Sequence, residues 1–260
     1  MKVSAVVVAH NEEAQLNDCL KCLTWVDEIV IVLDKCNDRS SDIARRYSNR
    51  IIEGSWPIEG PRRHAGIDVA TGPWILEVDA DERITPELAR EIEGLVRNEP
   101  DYDYAGINVD NYIGRRLVRH GWGGSFGKST TMALYRQGSK HWGAQRVHPT
   151  VRLTGRRGPN LSNRLLHYVD RDVSDVIARL NRYTSARAQD MRDNQERGSI
   201  PNDIRRMASR FLRCYFRRKG YREGSFGLLI ALMAALYPIL STLKARLDPE
   251  CWDIDTDKLA

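Results

Sequence analysis

The sequence predicts an α/β protein with an open, mostly parallel sheet, helices on both faces and a helical C-terminal extension. Three observations carry this. Short β-branched runs alternate with helix-spaced segments through the first eighty residues, the pattern of right-handed βαβ crossovers. Acid, amide or imidazole groups follow the strands at their carboxyl ends, where open α/β sheets collect ligands. From Val173 onward the strand pattern gives way to helical periodicity.

In order, Val3–Val8 is β-branched, Glu13–Leu23 places Leu16, Leu20 and Leu23 at helical spacing, and Glu28–Leu33 is β-branched again. A polar loop, Asp34–Asp38, leads to a helix capped by Ser40 or Ser41 and running to Tyr47, then to a short strand at Arg50–Ile52. Gly60–Val69 reads as a weakly amphipathic helix carrying Arg62, Arg63 and His64, and it feeds the apolar strand Trp74–Val78. Thr85 as N-cap and Pro86 at the first helical position open a helix to Val96. Tyr104–Asn111 and Thr131–Arg136 read as strands around a Gly/Arg/Trp-rich loop from Ile113 to Lys128. A second strand pair, Val147–Leu153 and Leu165–Tyr168, is expected to flank the basic loop Thr154–Arg164. Val176, Leu180, Tyr183 and Ala186 support a helix over Val173–Arg197. Arg205–Arg222 is strongly basic and interleaved with Phe211, Leu212, Tyr215 and Phe216, and Gly224–Leu243 carries no charge.

Composition narrows the classes. The 260 residues are long enough for a full core, and a mean hydropathy of -0.49 excludes a polytopic membrane protein. Forty Lys+Arg against 35 Asp+Glu, with pI near 9.0, point to anionic partners: nucleotide phosphates, anionic lipid or nucleic acid. Five scattered cysteines fit a reducing cytoplasm. Val3–Ala9 is too short for a signal-peptide core, so none is expected. No Gly-x-Gly-x-x-Gly follows the first strand and no Gly-x-x-x-x-Gly-Lys-Ser/Thr occurs, which argues against a dehydrogenase or a P-loop NTPase. The six histidines form no His-x-x-x-His or His-Glu-x-x-His pattern, so a zinc hydrolase is not expected. The basic tail followed by an apolar stretch suggests attachment to an anionic cytoplasmic leaflet, the alternative being that both segments pack on the protein or in an interface.

The chemistry concentrates in Val78-Asp79-Ala80-Asp81-Glu82, acids at the end of a strand that a core would not choose. If the chain stays extended, Asp79 and Asp81 project to one side and can hold a hard divalent cation and, through it, a diphosphate. The alternative is that they are solvated or cap the next helix. His10-Asn11-Glu12 and Asp34 should converge on the same edge.

Val6-Val7-Val8-Ala9-His10-Asn11-Glu12-Glu13, Ile31-Val32-Leu33-Asp34 with Ser41-Asp42, Arg62/Arg63 and Val78-Asp79-Ala80-Asp81-Glu82, in this order, resemble a family 2 glycosyltransferase of the GT-A fold, a Rossmann-like sheet. The likeness is nearest the bacterial lipopolysaccharide-core β-1,4-glucosyltransferase branch and covers roughly residues 1–190. It implies a GT-A nucleotide-sugar-binding and catalytic domain over 1–170; the helical extension over 171–260 is read as membrane-associating from its basic amphipathic helix and apolar segment. Asn11 and Glu12 would border base and ribose, Asp34 would contact uracil or ribose, and Arg62 or Arg63 would lie near the diphosphate. Asp81 would be the direct ligand of Mg²⁺ or Mn²⁺, with Asp79 closer to the ribose or sugar. The implied reaction is inverting transfer of a hexose from a nucleotide sugar, a UDP-sugar by preference, to a lipid-linked or lipopolysaccharide-core glycan at the inner face of the cytoplasmic membrane.

The sequence departs from that pattern at the general base. Gly121-Trp122 runs into Gly123-Gly124-Ser125, and Val147-His148 is followed by Pro149, so neither expected carboxylate is present. His148 is the candidate base, with Asp110 and Glu82 as outside candidates. A polyprenyl-phosphate sugar synthase, whose acceptor is already an oxyanion, is the alternative enzyme. A non-catalytic nucleotide-sugar-binding subunit and a nucleic-acid-binding protein are the other readings; nucleic acid is not the expected partner. Oligomeric state is left open, homo-oligomers included.

Overall fold

The computed structural model describes residues 2–123, 127–144 and 150–252. They form two compact units: the chain to Leu117 with Ser129–Val169, and Val118–Lys128 with the chain from Asp170 on.

The first unit is built on a mixed sheet. β1 (Val3–Ala9), β2 (Glu28–Asp34), β3 (Arg50–Gly54) and β4 (Trp74–Asp79) run parallel in the order β3-β2-β1-β4. β1 is buried along its whole length, as a central strand covered on both faces must be. Its residues Val3, Ala5, Val7 and Ala9 join the core under α1 (Leu16–Lys21), α2 (Ser40–Ala44) and α4 (Pro86–Arg97). Val6, with Val30, Ile75 and Tyr135, belongs to the smaller core that includes Ile67 of α3 (Glu59–Ile67). Helices therefore cover both faces. Thr85 caps α4 as its sequence requires, its hydroxyl accepting from the Leu88 N–H at 3.2 Å.

Beyond β4 the sheet turns antiparallel. β8 (Thr130–Arg136) pairs with β4, β6 (Tyr104–Ile113) with β8, and β11 (Arg164–Asp170) with the two-residue β5 (Glu82–Arg83). β7 (Arg116–Val118) adds to β6. The reason is the connection: parallel neighbours need a crossover helix, and no helix is found among the described residues between α4 and β11. The expected pairing of Val147–Leu153 with Leu165–Tyr168 is corrected. β10 (Val151–Leu153) pairs instead with β9 (Lys140–Trp142), a three-residue strand too short and polar to read from alternation, while β11 enters the main sheet. Residues 147–149 lie outside the described residues.

The second unit is helical. α5 (Val173–Asp193) is capped by Asp172, which accepts from the Asp175 N–H at 2.9 Å, and Arg179 makes a buried two-point pair with Asp170 at 2.7 and 3.1 Å. α6 (Ile200–Leu212) continues through a π turn, Arg213–Arg217, and a 3₁₀ turn, Gly220–Glu223, into α7 (Ser225–Trp252). α7 packs against α5 and α6.

α3 lies close on the sheet. A Cβ at Gly66 would stand 2.7 Å from Val6 Cγ1 and 2.8 Å from Val32 Cγ2, both on rigid strands. Gly66→Ala should therefore cost about 1–3 kcal/mol of stability; urea unfolding checks it, and an unchanged midpoint would show that the helix can lift freely.

Candidate active site

Three loops at the carboxyl ends of β1, β2 and β4 are laced together. Asn11 sits in the left-handed region (φ 55), which asparagine tolerates, and its Oδ1 accepts from the Asn37 N–H at 2.8 Å. The Glu12 N–H donates to Ser40 Oγ at 3.0 Å, and His10 Nδ1 lies 2.5 Å from the Asp34 carbonyl oxygen. The Glu12 carboxyl ends among acids: burial first, then the charges of Asp81, Asp38 and Asp79, push it up from 4.5 to about 7. That crowding brings together the first and fourth strand ends that the sequence placed on one edge.

Asp34, Arg62 and Arg63 are also placed. Asp34 is 4% exposed; its Oδ1 accepts from the Trp56 N–H at 2.9 Å and its Oδ2 from Arg62 Nη1 at 3.1 Å. The Arg62 Nε is buried without a partner. Arg63 donates to Asp79 Oδ1 at 2.9 Å and to Glu59 at 2.8 Å, and lies 3.8 Å from Glu77. Burial opposes its charge, but Asp79, Glu59 and Glu77 outweigh that and hold the guanidinium firmly protonated.

Beneath Asp79, on the same face of β4, lies a buried charge cluster. Glu77 pairs in register with Val6 and so points to the α3 side. Lys140 of β9 donates to Glu77 Oε2 and, at 3.0 Å, to the Met132 carbonyl; Trp142 Nε1 donates to Glu77 Oε1 at 2.9 Å. The Trp142 N–H reaches His64 Nε2 at 3.2 Å, and Arg63 stacks 4.5 Å above the Trp142 ring. Burial pulls the Lys140 ammonium down against the pull of Glu77, and burial and Glu77 together push the Tyr135 phenol up.

Asp81 takes a different partner from Asp79. β4 ends at Asp79, whose N–H donates to Glu82 Oε2 at 2.9 Å, and the chain turns, so the two acids do not continue one extended strand. Asp81 Oδ2 lies 3.3 Å from Nε2 of His167, and Asp81 Oδ1 is buried with no hydrogen-bond partner. His167 Nδ1 is 2.7 Å from Asn111 Oδ1. With Nδ1–H donating there, Nε2 faces the carboxylate, as a donor to it when the ring is protonated and as a lone pair when it is neutral. With the lone pair presented, carboxylate and imidazole could hold a divalent cation between them, the carboxylate suiting Mg²⁺ or Mn²⁺ and the imidazole favouring a first-row transition ion such as Mn²⁺. They are a pair; no group of three His, Cys, Asp or Glu poised for a metal occurs among the described residues.

Of the base candidates, Asp110 is buried against Arg164 Nε at 2.6 Å, and Glu82, 2% exposed, accepts the Asp79 N–H through Oε2. His148 lies outside the described residues; Trp142 and Val151, on either side of it in sequence, pair with each other. His167, Glu77 and Lys140 were not singled out from sequence. Glu77 had a signal: a charge inside the apolar run Trp74–Val78 demands a buried counter-charge. His167 had only its place between Leu166 and Tyr168 in a strand, and no metal-binding spacing marks it.

A parallel βα sheet with acids gathered at its carboxyl edge, extended by antiparallel strands, defines the nucleotide-sugar transferases of the GT-A class. This chain belongs to glycosyl transferase family 2, whose profile, "Glycosyl transferase family 2", matches residues 4–156, and it is a glycosyltransferase. It is 28% identical over 267 residues to the lipopolysaccharide core biosynthesis glycosyltransferase LpsC of Rhizobium meliloti, covering 94% of this chain and 92% of that one. An uncharacterized glycosyltransferase of Rickettsia bellii is 22% identical, covering 94% and 86%. Among solved structures, S. aureus TarS 1-349 shares the fold with a TM-score of 0.50 at 12% identity, covering 96% and 92%.

Because ionised Glu12 is disfavoured in the fold, its cost is absent below about pH 4.5, builds as pH rises and is complete above about pH 7. In the presence of a chelator, Glu12→Gln should stabilise the protein by about 1–2 kcal/mol at pH 8, after allowing for solvent screening, and hardly at all at pH 5. Thermal melts at the two pH values check this; equal shifts would place the charge in solvent.

Proposed function

We propose that this glycosyltransferase moves a hexose with inversion from a UDP-sugar to a glycan carried on lipid or lipopolysaccharide core, at the inner face of the cytoplasmic membrane. The observation that carries the donor half is the Asp81–His167 pair, with its unpartnered buried Asp81 Oδ1, at the end of β4. Those residues would hold Mg²⁺ or Mn²⁺, which when bound would offset charge on the departing diphosphate. Asp79 is steadied by Arg63 for the ribose or sugar, Asp34 and Arg62 for the base side and diphosphate, and Asn11 and Glu12 border the nucleoside. In the step itself the acceptor hydroxyl oxygen bonds to the anomeric carbon as the bond to the β-phosphate oxygen breaks. The hydroxyl proton passes to a base, for which we propose His148. The likeness to LpsC supports the acceptor class. Residues 1–170 form the catalytic part of this reading and 171–260 its membrane-side extension.

Calorimetric titration with UDP, with and without Mn²⁺, tests the donor half. Asp81→Ala and His167→Ala should each remove the metal-dependent part of binding while circular dichroism stays native; retention of metal-dependent binding by folded Asp81→Ala would sink the assignment. His148→Ala should lower kcat by about 10²- to 10⁴-fold with UDP affinity unchanged, and a full-rate variant would exclude it as base.

A further inference from the structure

Helix α6 and the π turn after it present two parallel exposed ridges. Ile204, Ala208, Leu212 and Phe216, each four apart, are exposed, with Ile204, Leu212 and Phe216 at 50%, 54% and 56%. Beside them Arg205, Ser209, Arg213 and Arg217 repeat the same spacing and are also exposed. From Ile204 through Arg222 the chain carries eight Lys or Arg, Arg222 included, and no acid. The opposite face of α6 is tied down: Thr242 Oγ1 of α7 donates to the buried Asp203 at 2.6 Å, and Arg210 stacks 5.1 Å over the Tyr237 ring.

α7 is accordingly a helix of this unit's core. Its stretch Ser225–Asp248 is long and apolar enough to cross a bilayer, with a hydropathy of 2.1, but half of that window is buried, and Ile230, Ala231, Ala234 and Thr242 are 2% exposed or less. Pulling it into lipid would strip Asp203 of its Thr242 hydrogen bond and α5 of its packing.

We propose that the Ile204–Phe216 ridge of α6, flanked by its arginines, is a monotopic docking surface for an anionic phospholipid bilayer, with α7 held in the protein. Aliphatic and aromatic side chains enter the headgroup boundary while the guanidinium groups meet lipid phosphates. A second copy of this chain is disfavoured as occupant, since a two-fold contact would set an acid-free basic ridge against itself. Polynucleotide would match the charge and leave the aliphatic ridge in water. The proposal rests on the membrane-bound acceptor only for its purpose, and its test needs no turnover.

The test is sedimentation of the full-length protein with vesicles of phosphatidylcholine alone and of an equal mixture with phosphatidylglycerol. Binding to the anionic vesicles alone, weakened by salt and released by alkaline carbonate, is expected. Arg205→Gln, Arg213→Gln and Arg217→Gln combined should weaken it about a hundredfold, and Leu212→Ser with Phe216→Ser on the order of a hundredfold. All five positions are exposed, so unchanged melting temperatures are expected. Four results would overturn the proposal: resistance to carbonate, binding indifferent to both sets of variants, preference for single-stranded DNA over vesicles, or a dimer that the Leu212/Phe216 variant dissociates. UDP calorimetry on the unsubstituted protein separates failures: protein that binds UDP but no anionic vesicles sinks the surface alone, and protein that binds anionic vesicles but no UDP sinks the donor reading alone.

Discussion

One buried carboxylate organises the catalytic unit. Glu77 stands 6% exposed in the middle of a parallel strand, where an unpaired charge would be intolerable, and its two oxygens are met by Lys140 and by the Trp142 indole. Both partners come from β9, so neutralising Glu77 pins the base of the β9–β10 hairpin onto β4. The same Trp142 reaches α3 through His64 and lies under Arg63, and Arg63 holds Asp79. A single charge thus ties strand, hairpin and helix around one end of the carboxyl edge of the parallel strands.

This arrangement gives the two acids Asp79 and Asp81 different partners. Asp79 ends the strand and looks toward α3 and Arg63; Asp81, past the turn, looks toward β11 and His167. The pair therefore links the parallel half of the sheet to its antiparallel half, because β11 lies against β5 immediately after Asp81, with His167 opposite Glu82. Glu12, arriving from β1, joins the two acids, its carboxyl pushed up by burial first and then by the charges of Asp81, Asp38 and Asp79.

The parallel half of the molecule was legible because its signals are local and redundant. Val3–Val8, Glu28–Leu33 and Trp74–Val78 declare themselves by β-branching, and Thr85-Pro86 by cap chemistry. The acids at the strand ends were legible for the same reason, since topology alone sends them to one edge. What escaped depends on contacts far apart in sequence. Lys140-His141-Trp142 has no alternation to mark a strand; it is held by Glu77, sixty-three residues away from Lys140. His167 acquires meaning only when β11 settles beside β5, a pairing of a two-residue strand that no period can announce. The uncharged run Gly224–Leu243 passes every length test for a bilayer span, and only its buried face and the Thr242–Asp203 bond separate a core helix from a crossing one.

The helical unit is discontinuous in sequence. Val118 and Trp122 are buried in it, and the loop they belong to is fastened there by the Arg119 and His120 N–H groups on Glu223 Oε1 and by Gly121 N–H on the Arg218 carbonyl. A chain ended after Val169 would strip that loop of its anchors and bare an indole ring. The C-terminal helices are therefore not an interchangeable tail: a new set cannot be grafted by fusion at one junction, and any lineage that replaces them must rewrite the Val118–Lys128 loop in the same event.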